Sequence, residues 1–228
     1  MKKIFPTRKK GISFLPKKWI LAICLVSIAG NTPATQPPKS GKAYVVSNAH
    51  LDTQWLWTVR TSIIDYIPRT IYQNLALIHD YPDYIFNFEG AVKYNWMKEY
   101  YPLDYEKVKE AIKNGRWHVS GSSWDANDVN VPSPESSFRN ILLGQEFYKK
   151  EFGLKSTDIF LPDCFGFGYT LPSIAKHCGL IGFSTQKLGW RKKPFYGDSK
   201  IPFTIGRWKG IDGAELICAL DCGSYVHN

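Results

Sequence analysis

Residues 43–58, AYVVSNAHLDTQWLWT, contain the strongest structural and functional signal in the chain. The apolar run at 44–46 predicts a buried strand, because apolar residues follow one another without alternation. His50 and Asp52 come soon after it, and side chains two residues apart share one face of an extended chain. An imidazole and a carboxylate suit a zinc-like divalent cation, and the indole of Trp55 offers an apolar wall for a sugar ring. The same residues also fit a hydrogen-bonded histidine beside a surface aspartate in a tryptophan-rich packing patch.

The N-terminus has the layout of a secretory signal peptide. Seven lysines and arginines lie within residues 1–18, and an apolar stretch follows at 19–29. Ser27-Ile28-Ala29, with small residues at its first and third positions, resembles a cleavage site. We therefore expect a signal peptide at 1–29, a linker at 30–41 and export to a periplasm or the medium. The alternative is an uncleaved anchor, although the apolar stretch is shorter than the roughly 20 residues of a membrane span. After removal of the signal we expect no stable membrane span.

Composition and charge favour one globular domain after this N-terminus. The 228 residues are 44% hydrophobic and 15% aromatic, which is enough for a sizeable core. The formal net charge is +9, and subtracting the seven positive charges of residues 1–18 leaves +2 for the rest of the chain. A domain near neutrality gives no indication of a nucleic-acid partner.

The cysteines give no sign of a metal-binding cluster. Beyond Cys24, they occupy positions 164, 178, 218 and 222, and this spacing matches no paired CxxC or zinc-ribbon pattern. Export would permit disulfides, but the spacing does not identify a pair. We therefore expect buried free thiols.

Beyond residue 58, strand-like and helix-like segments alternate along the chain. This alternation predicts an α/β fold with a parallel sheet, either open or closed into a barrel. Proline at first helical positions, Ser133 as an N-cap and Gly153 as a helix stop help to place the boundaries. The predicted strands are 84–88, 116–120, 158–161, 180–183, 202–208 and 215–220, and the predicted helices begin at Pro68 or span 91–100, 104–113, 134–152 and 171–177.

Polar and aromatic side chains follow the predicted strands at the point where each strand ends. In parallel α/β folds the active residues lie at the carboxyl ends of the strands, so we expect these side chains to meet. Each acid alone also fits a helix cap or a solvated loop. The glycines after Asp163 favour a functional role there, since they allow close approach of the backbone. The candidates are His50, Asp52, Trp124, Asp125, Asp128, Asp163 and Lys187.

Several of these stretches resemble the N-terminal catalytic part of family 38 glycoside hydrolases, the α-mannosidases. HLDTQW at 50–55 is similar to the family's HxDxxW motif, and LPDCFG at 161–166 is similar to its [L/Q]xDxFG motif. The similarity extends over about residues 42–228, which we expect to be the N-terminal part of the catalytic domain. Further similarity to the bacterial and cytosolic-type branch lies at 115–134, at TQKL (185–188) with Trp190, and at WKGIDG (208–213).

The resemblance implies a fold, a metal site and a reaction. The fold is an incomplete parallel (β/α) barrel of the family 38 and deacetylase-like type. The metal is Zn²⁺ or another divalent cation, held by His50, Asp52, Asp163 and a further histidine. Asp163 is also the nucleophile of a retaining hydrolysis of terminal α-mannosides in glycans or oligosaccharides. A cation beside Asp163 favours its ionised form.

The resemblance also implies which residues touch the sugar. Trp55 packs against the sugar ring, Phe165 lies nearby, and Lys187 donates to a substrate hydroxyl. We predict a further substrate contact at Asp128. The chain itself is expected to be a fragment, because the family's acid/base carboxylate and last histidine ligand lie well downstream of Asp163, and His227 comes too early to be that ligand.

Two other functions stay open on the sequence. An inactive remnant or carbohydrate-binding fragment fits the tryptophan-rich strand ends and the missing acid/base residue. A metal-dependent polysaccharide deacetylase-like hydrolase shares Asp/His metal chemistry, but it would require more histidine ligands, such as an HxxxH pair, and the sequence contains none. Mannose release, acetate release or binding without turnover distinguishes the three.

Overall fold

The computed structural model describes residues 47–189 and 203–220, which lie within one compact unit. Several sequence predictions fall outside these residues: the signal peptide at 1–29, the linker at 30–41, the strand at 44–46, Cys24, Trp190, Cys222 and His227.

Strands and helices alternate as the sequence predicts. A π-helical turn, Ser62–Tyr66, separates the first two helices, and a 3-10 turn, Lys187–Gly189, follows the fifth strand. The remaining elements are β1 (Ser47–Ala49), α1 (Val59–Thr61), α2 (Ile67–Asp80), β2 (Phe86–Glu89), α3 (Ala91–Tyr100), α4 (Pro102–Lys113), β3 (Trp117–Ser120), α5 (Pro134–Phe152), β4 (Asp158–Phe160), α6 (Leu171–His177), β5 (Gly182–Thr185), β6 (Ile205–Lys209) and β7 (Glu215–Leu220).

The described strands form two sheets. The first has the order β1-β2-β3 and is parallel throughout. In the second, of order β4-β5-β7-β6, strands β4, β5 and β7 are parallel, which confirms the predicted α/β fold. Where the sheets adjoin, the Ser122 amide donates to the Asp158 carbonyl at 2.9 Å. Closure of the strands into a barrel stays a prediction.

Strand β6 departs from the parallel expectation, because it runs antiparallel to β7. The connection between the two strands is a tight turn, in which the Gly210 amide donates to the Ala214 carbonyl at 2.8 Å and the Gly213 amide donates to the Gly210 carbonyl. A parallel connection needs a dozen or more residues, so a turn of this length can only reverse the chain.

Capping residues set the ends of α5 where the sequence places them. The Ser133 hydroxyl accepts a hydrogen bond from the Ser136 amide, and Pro134 occupies the first turn. At the other end Gly153 adopts a left-handed conformation with φ 69°, which glycine tolerates without a steric penalty.

Two apolar clusters hold these elements together. Phe86, Phe88 and Trp117 on the first sheet pack against Tyr94 of α3 and Tyr148 of α5. A second cluster covers the other sheet and includes Ile159, Phe183, Leu216 and Leu220. Within residues 47–189 and 203–220, no helix combines the length and the apolar character of a membrane span.

Among the described cysteines, the prediction of buried free thiols is confirmed for Cys164 and Cys218, and for Cys178 only in that its thiol is free. Cys164, Cys178 and Cys218 are all free, and Cys164 and Cys218 are buried, whereas Cys178 is half-buried.

Helix α5 fixes the loop that follows β3. The Asn140 side chain brackets Asp125, accepting from its amide at 3.1 Å and donating to its carbonyl at 2.9 Å, while the Asn140 carbonyl accepts from the Trp124 amide at 2.8 Å. One turn further on, Gly144 lies directly under the backbone of residues 122–123, where a Cβ atom would overlap the Ser122 carbonyl oxygen. The helix can approach the loop only because residue 144 has no side chain.

We expect Gly144→Ala to lower the free energy of unfolding by about 1–3 kcal/mol or more, since the new methyl group forces the backbone of helix and loop apart. Urea unfolding measures the loss. Glu146→Ala, at an exposed position of the same helix, is the matched control and should change stability by at most about 0.5 kcal/mol. Equal stability of the two variants would contradict the close approach.

Candidate functional site

Three of the predicted site residues meet where the two sheets present their strand ends. His50 and Asp52 follow β1 in the first sheet, and Asp163 follows β4 in the second. One ligand atom from each lies within 4.8 Å of the others, and all three residues are half-buried. His50 Nε2 is 3.2 Å from Asp52 Oδ1. We call these three residues the HDD cluster.

The donor atoms of the HDD cluster fit a divalent metal ion. An imidazole nitrogen and carboxylate oxygens are ligands that zinc accepts, and catalytic zinc sites use three protein ligands with a further position open. The exposed fraction of the Asp52 side chain is 37% and that of Asp163 is 27%, so the cluster is accessible from one side. Two carboxylates this close also repel each other unless a cation lies near them.

A buried ion pair behind His50 is a feature that the sequence analysis did not identify. Glu89, the last residue of β2, lies 3.0 Å from His50 Nδ1, and the Lys93 ammonium donates to the same Glu89 oxygen at 2.7 Å. Lys93 is fully buried and also lies 3.7 Å from Asp125. In the sequence this pair is visible as an acid directly after the predicted strand 84–88, followed four residues later by a lysine.

These contacts and burial shift the pKa values of Glu89, His50 and Asp125. Burial acts to raise the pKa of Glu89, but Lys93 and His50 outweigh it and the pKa is lowered. For His50, burial acts to lower the pKa, yet the hydrogen bond and charge of Glu89 leave it raised above its usual value. Burial raises the pKa of Asp125, with Lys93 opposing the shift.

Asp163, Lys187 and Phe165 form a second group beside the HDD cluster. The Lys187 ammonium forms an ion pair with the Asp163 carboxylate and lies 4.7 Å from the centroid of the Phe165 ring. More than half of the Phe165 side chain is exposed. The predicted lysine and aromatic contacts therefore lie at the predicted nucleophile.

The predicted substrate contact Asp128 lies in the loop between β3 and α5. Asp128 is exposed and accepts from the Asn130 and Val131 amides, at 2.7 and 3.0 Å, as a loop cap does. Burial, reinforced by the charges of Asp128 and Asp163, raises the pKa of the Cys164 thiol to about 12, so these carboxylates act on the same buried atom.

The tryptophans after β1 and β3 differ in exposure. Trp55 is 70% exposed and meets the ring of Trp57 edge-on at 5.8 Å. Trp124 is instead half-buried and packs edge-on against Phe147 at 5.9 Å. Of the two, Trp55 is available to a ligand, whereas Trp124 packs against the first apolar cluster.

Ser62, in the π-helical turn, anchors the loop that carries Asp52. Its hydroxyl donates to the Thr53 carbonyl at 2.8 Å and accepts from the Trp57 indole at 2.8 Å. Ser62 is fully buried, so these bonds form away from water and hold the loop in one conformation.

A cavity of about 510 Å³ opens beside His50. Such a volume lies in the range of small-molecule sites. All seven described strands contribute to its lining, which includes Asn48, Asn87, Ser120, Asp158, Ser184 and Ala219.

Comparison with known proteins identifies the family. The N-terminal domain of the glycosyl hydrolases family 38 matches residues 40–227. Alpha-mannosidase G of Dictyostelium discoideum is 36% identical over 176 residues, which are 77% of this chain and 16% of that protein. An alpha-mannosidase of Saccharomyces cerevisiae is 34% identical over 185 residues, again 16% of its length. The chain thus spans about a sixth of the length of these relatives.

A solved structure shows the same fold. The alpha-mannosidase from Enterococcus faecalis V583 superposes with a TM-score of 0.66 at 23% identity, over 78% of this chain and 20% of that one. The fold of this chain therefore also occurs within a much longer protein. On the match across residues 40–227 and on these relatives, the chain belongs to glycosyl hydrolase family 38.

Proposed function

We propose that this chain forms the N-terminal part of a retaining, metal-dependent α-mannosidase that removes terminal mannose from glycans or oligosaccharides. The HDD cluster is the observation that carries the proposal, because it joins a metal-compatible donor set to a carboxylate that can act as a nucleophile. The names of the curated relatives support mannosides as the substrate class. The basic and apolar N-terminus supports export to a periplasm or the medium.

His50, Asp52 and Asp163 would hold the ion, with Zn²⁺ as the favoured species. When bound, such an ion orients the sugar hydroxyls and stabilises the charge distribution of the transition state. Glu89 and Ser62 keep the ligands in place, since one bonds the imidazole and the other the loop behind Asp52.

Asp163 attacks the anomeric carbon in the first step of the proposed reaction. A covalent mannosyl-enzyme forms as the glycosidic bond breaks, and the leaving alcohol takes its proton from a general acid supplied by another part of the full protein. The same group, now a base, deprotonates the water that releases mannose with retention of configuration and regenerates the Asp163 carboxylate. Lys187 forms an ion pair with the Asp163 carboxylate and so holds the nucleophile in position. Phe165 and Trp55 expose the aromatic surface against which a sugar ring packs, and Asp128 accepts from a hydroxyl at the rim.

Chelation gives the first test of the metal. We expect 1,10-phenanthroline to abolish the hydrolysis of p-nitrophenyl α-mannoside by the full protein, and ZnCl₂ to restore it, because the site needs an ion to bring its two carboxylates together. Absorbance of released nitrophenol is the measurement, and the non-chelating 1,7-phenanthroline is the control. Mannoside hydrolysis that resists exhaustive chelation would remove the metal from the mechanism.

Replacing the nucleophile gives the second test. Asp163→Asn should lower kcat by on the order of 10³-fold or more, and it should also weaken metal binding because one carboxylate serves both purposes. Asp80→Asn, an exposed aspartate at the end of α2, is the matched control and should leave both quantities unchanged.

The nucleophile role can be separated from the ligand role by azide. With an activated aryl mannoside, Asp163→Ala should form β-mannosyl azide, since azide enters from the face that the carboxylate has vacated while the aryl alcohol leaves. Nuclear magnetic resonance identifies the anomer. A wild-type rate in Asp163→Asn, or an α-configured azide, would show that Asp163 is not the nucleophile.

A further inference from the structure

Glu89 and Lys93 are the least exposed charged side chains near the HDD cluster. The Lys93 side chain is 0% exposed and that of Glu89 2%, and the Lys93 ammonium lies 5.8 Å from the centroid of the Phe88 ring in the apolar core. Their backbone path depends on Gly90, which has φ 87° and on which a Cβ atom would lie only 2.9 Å from Lys93 Nζ.

A buried ion pair of this kind adds little to the stability of a fold by itself. Removing each charge from water costs several kcal/mol, and a buried pair can often be exchanged for apolar residues with no loss of stability. A role other than stability would explain why the two charges are buried together. The one ionisable side chain outside the pair that Glu89 contacts at hydrogen-bond distance, among the described residues, is His50.

The hydrogen bonds fix the direction of the proton between His50 and Glu89. Glu89 Oε1 already accepts from the Lys93 ammonium at 2.7 Å, and an ionised carboxylate can only accept. The Nδ1 atom of His50, 3.0 Å from the same oxygen, must therefore be the donor. In the neutral imidazole the lone pair then lies on Nε2, which is the nitrogen 3.2 Å from Asp52 Oδ1.

We propose that Glu89 is a positioning residue that holds His50 as the Nδ1–H tautomer with Nε2 directed into the HDD cluster, and that Lys93 fixes Glu89 in the orientation this requires. The inference rests on the proposed metal site. Carboxylates that bond a ligand histidine in this way set its tautomer and ring orientation, and their loss costs about 10–100-fold in metal affinity.

Lys93 also extends the arrangement to the loop after β3. Its ammonium lies 3.7 Å from Asp125, whose backbone is bracketed by Asn140 of α5. The ends of β1, β2 and β3 are thereby connected through one buried cation. A change at Lys93 is therefore transmitted to the imidazole through Glu89 as well as to this loop.

The decisive experiment measures metal affinity and not turnover. The double variant Glu89→Leu/Lys93→Met in the full chain removes both charges together, and it also removes the oxygen that accepts from His50. We expect its Zn²⁺ affinity, measured by competition with a chromophoric chelator, to fall 10–100-fold, and the visible spectrum of the Co²⁺-substituted protein to change. Unchanged affinity and an unchanged Co²⁺ spectrum would overturn the proposal, even if the melting temperature falls.

A second Glu–Lys pair, in which the lysine is about half exposed, provides the control. Glu151 accepts from the Lys98 ammonium at 2.7 Å, and its side chain is only 9% exposed. Its other carboxylate oxygen accepts from the Tyr105 hydroxyl. Glu151→Leu/Lys98→Met makes the same chemical change and should leave metal affinity and the Co²⁺ spectrum as they are.

A direct measurement covers the case in which the Glu89 variant does not fold. Long-range ¹H–¹⁵N spectra of the unaltered protein loaded with Zn²⁺ report which nitrogen of His50 carries the proton. A protonated Nδ1 with a metal-bound Nε2 is expected, and the opposite tautomer would overturn the proposal. A protein that binds Zn²⁺ in this tautomer but releases no mannose contradicts only the proposed function, whereas one that binds no Zn²⁺ contradicts both.

Discussion

The repulsion between two carboxylates is the constraint on which the site depends. Asp52 and Asp163 come from different sheets, yet both offer oxygen atoms to a cluster only 4.8 Å across. Like charges at such distances are unfavourable unless a cation compensates for them. The chain places the ammonium of Lys187 at one of them and the imidazole of His50 at the other. A cation of the chain thus compensates for the Asp163 carboxylate, whereas Asp52 faces the imidazole nitrogen that would bind the proposed metal ion.

The fold brings these side chains together because it fixes the carboxyl ends of the strands and the loops that follow them. Parallel strands direct their carboxyl ends to one edge, so short strands suffice to bring distant parts of the sequence together. The loops are then held by buried contacts, at Ser62 behind Asp52 and at Asn140 and Gly144 beneath the loop after β3. A preorganised site of this kind needs little rearrangement when charge develops in a reaction.

Local signals predicted much of this architecture. Ser133, Pro134 and Gly153 gave the bounds of α5, because capping chemistry involves only neighbouring residues. Polar residues after strands predicted that the HDD cluster would assemble. The antiparallel β6 was missed because the parallel pattern was extended to the last two strands, although only a short glycine-containing connection at 210–213 joins them. The Glu89 contact with His50 was missed because it joins residues 39 positions apart, and Lys93 looks like an ordinary helix-surface lysine until the packing is known.

The same Glu89–Lys93 pair shapes the order in which the chain can fold. The two residues are four positions apart, so they meet at little cost in loop-closure entropy, whereas the contact of Glu89 with His50 must close 39 residues. The acid and the base can neutralise each other while β2 and α3 are still forming. The apolar core then forms around a neutral ion pair and not around two separate charges. When His50 reaches Glu89, the carboxylate is already oriented to accept its hydrogen bond.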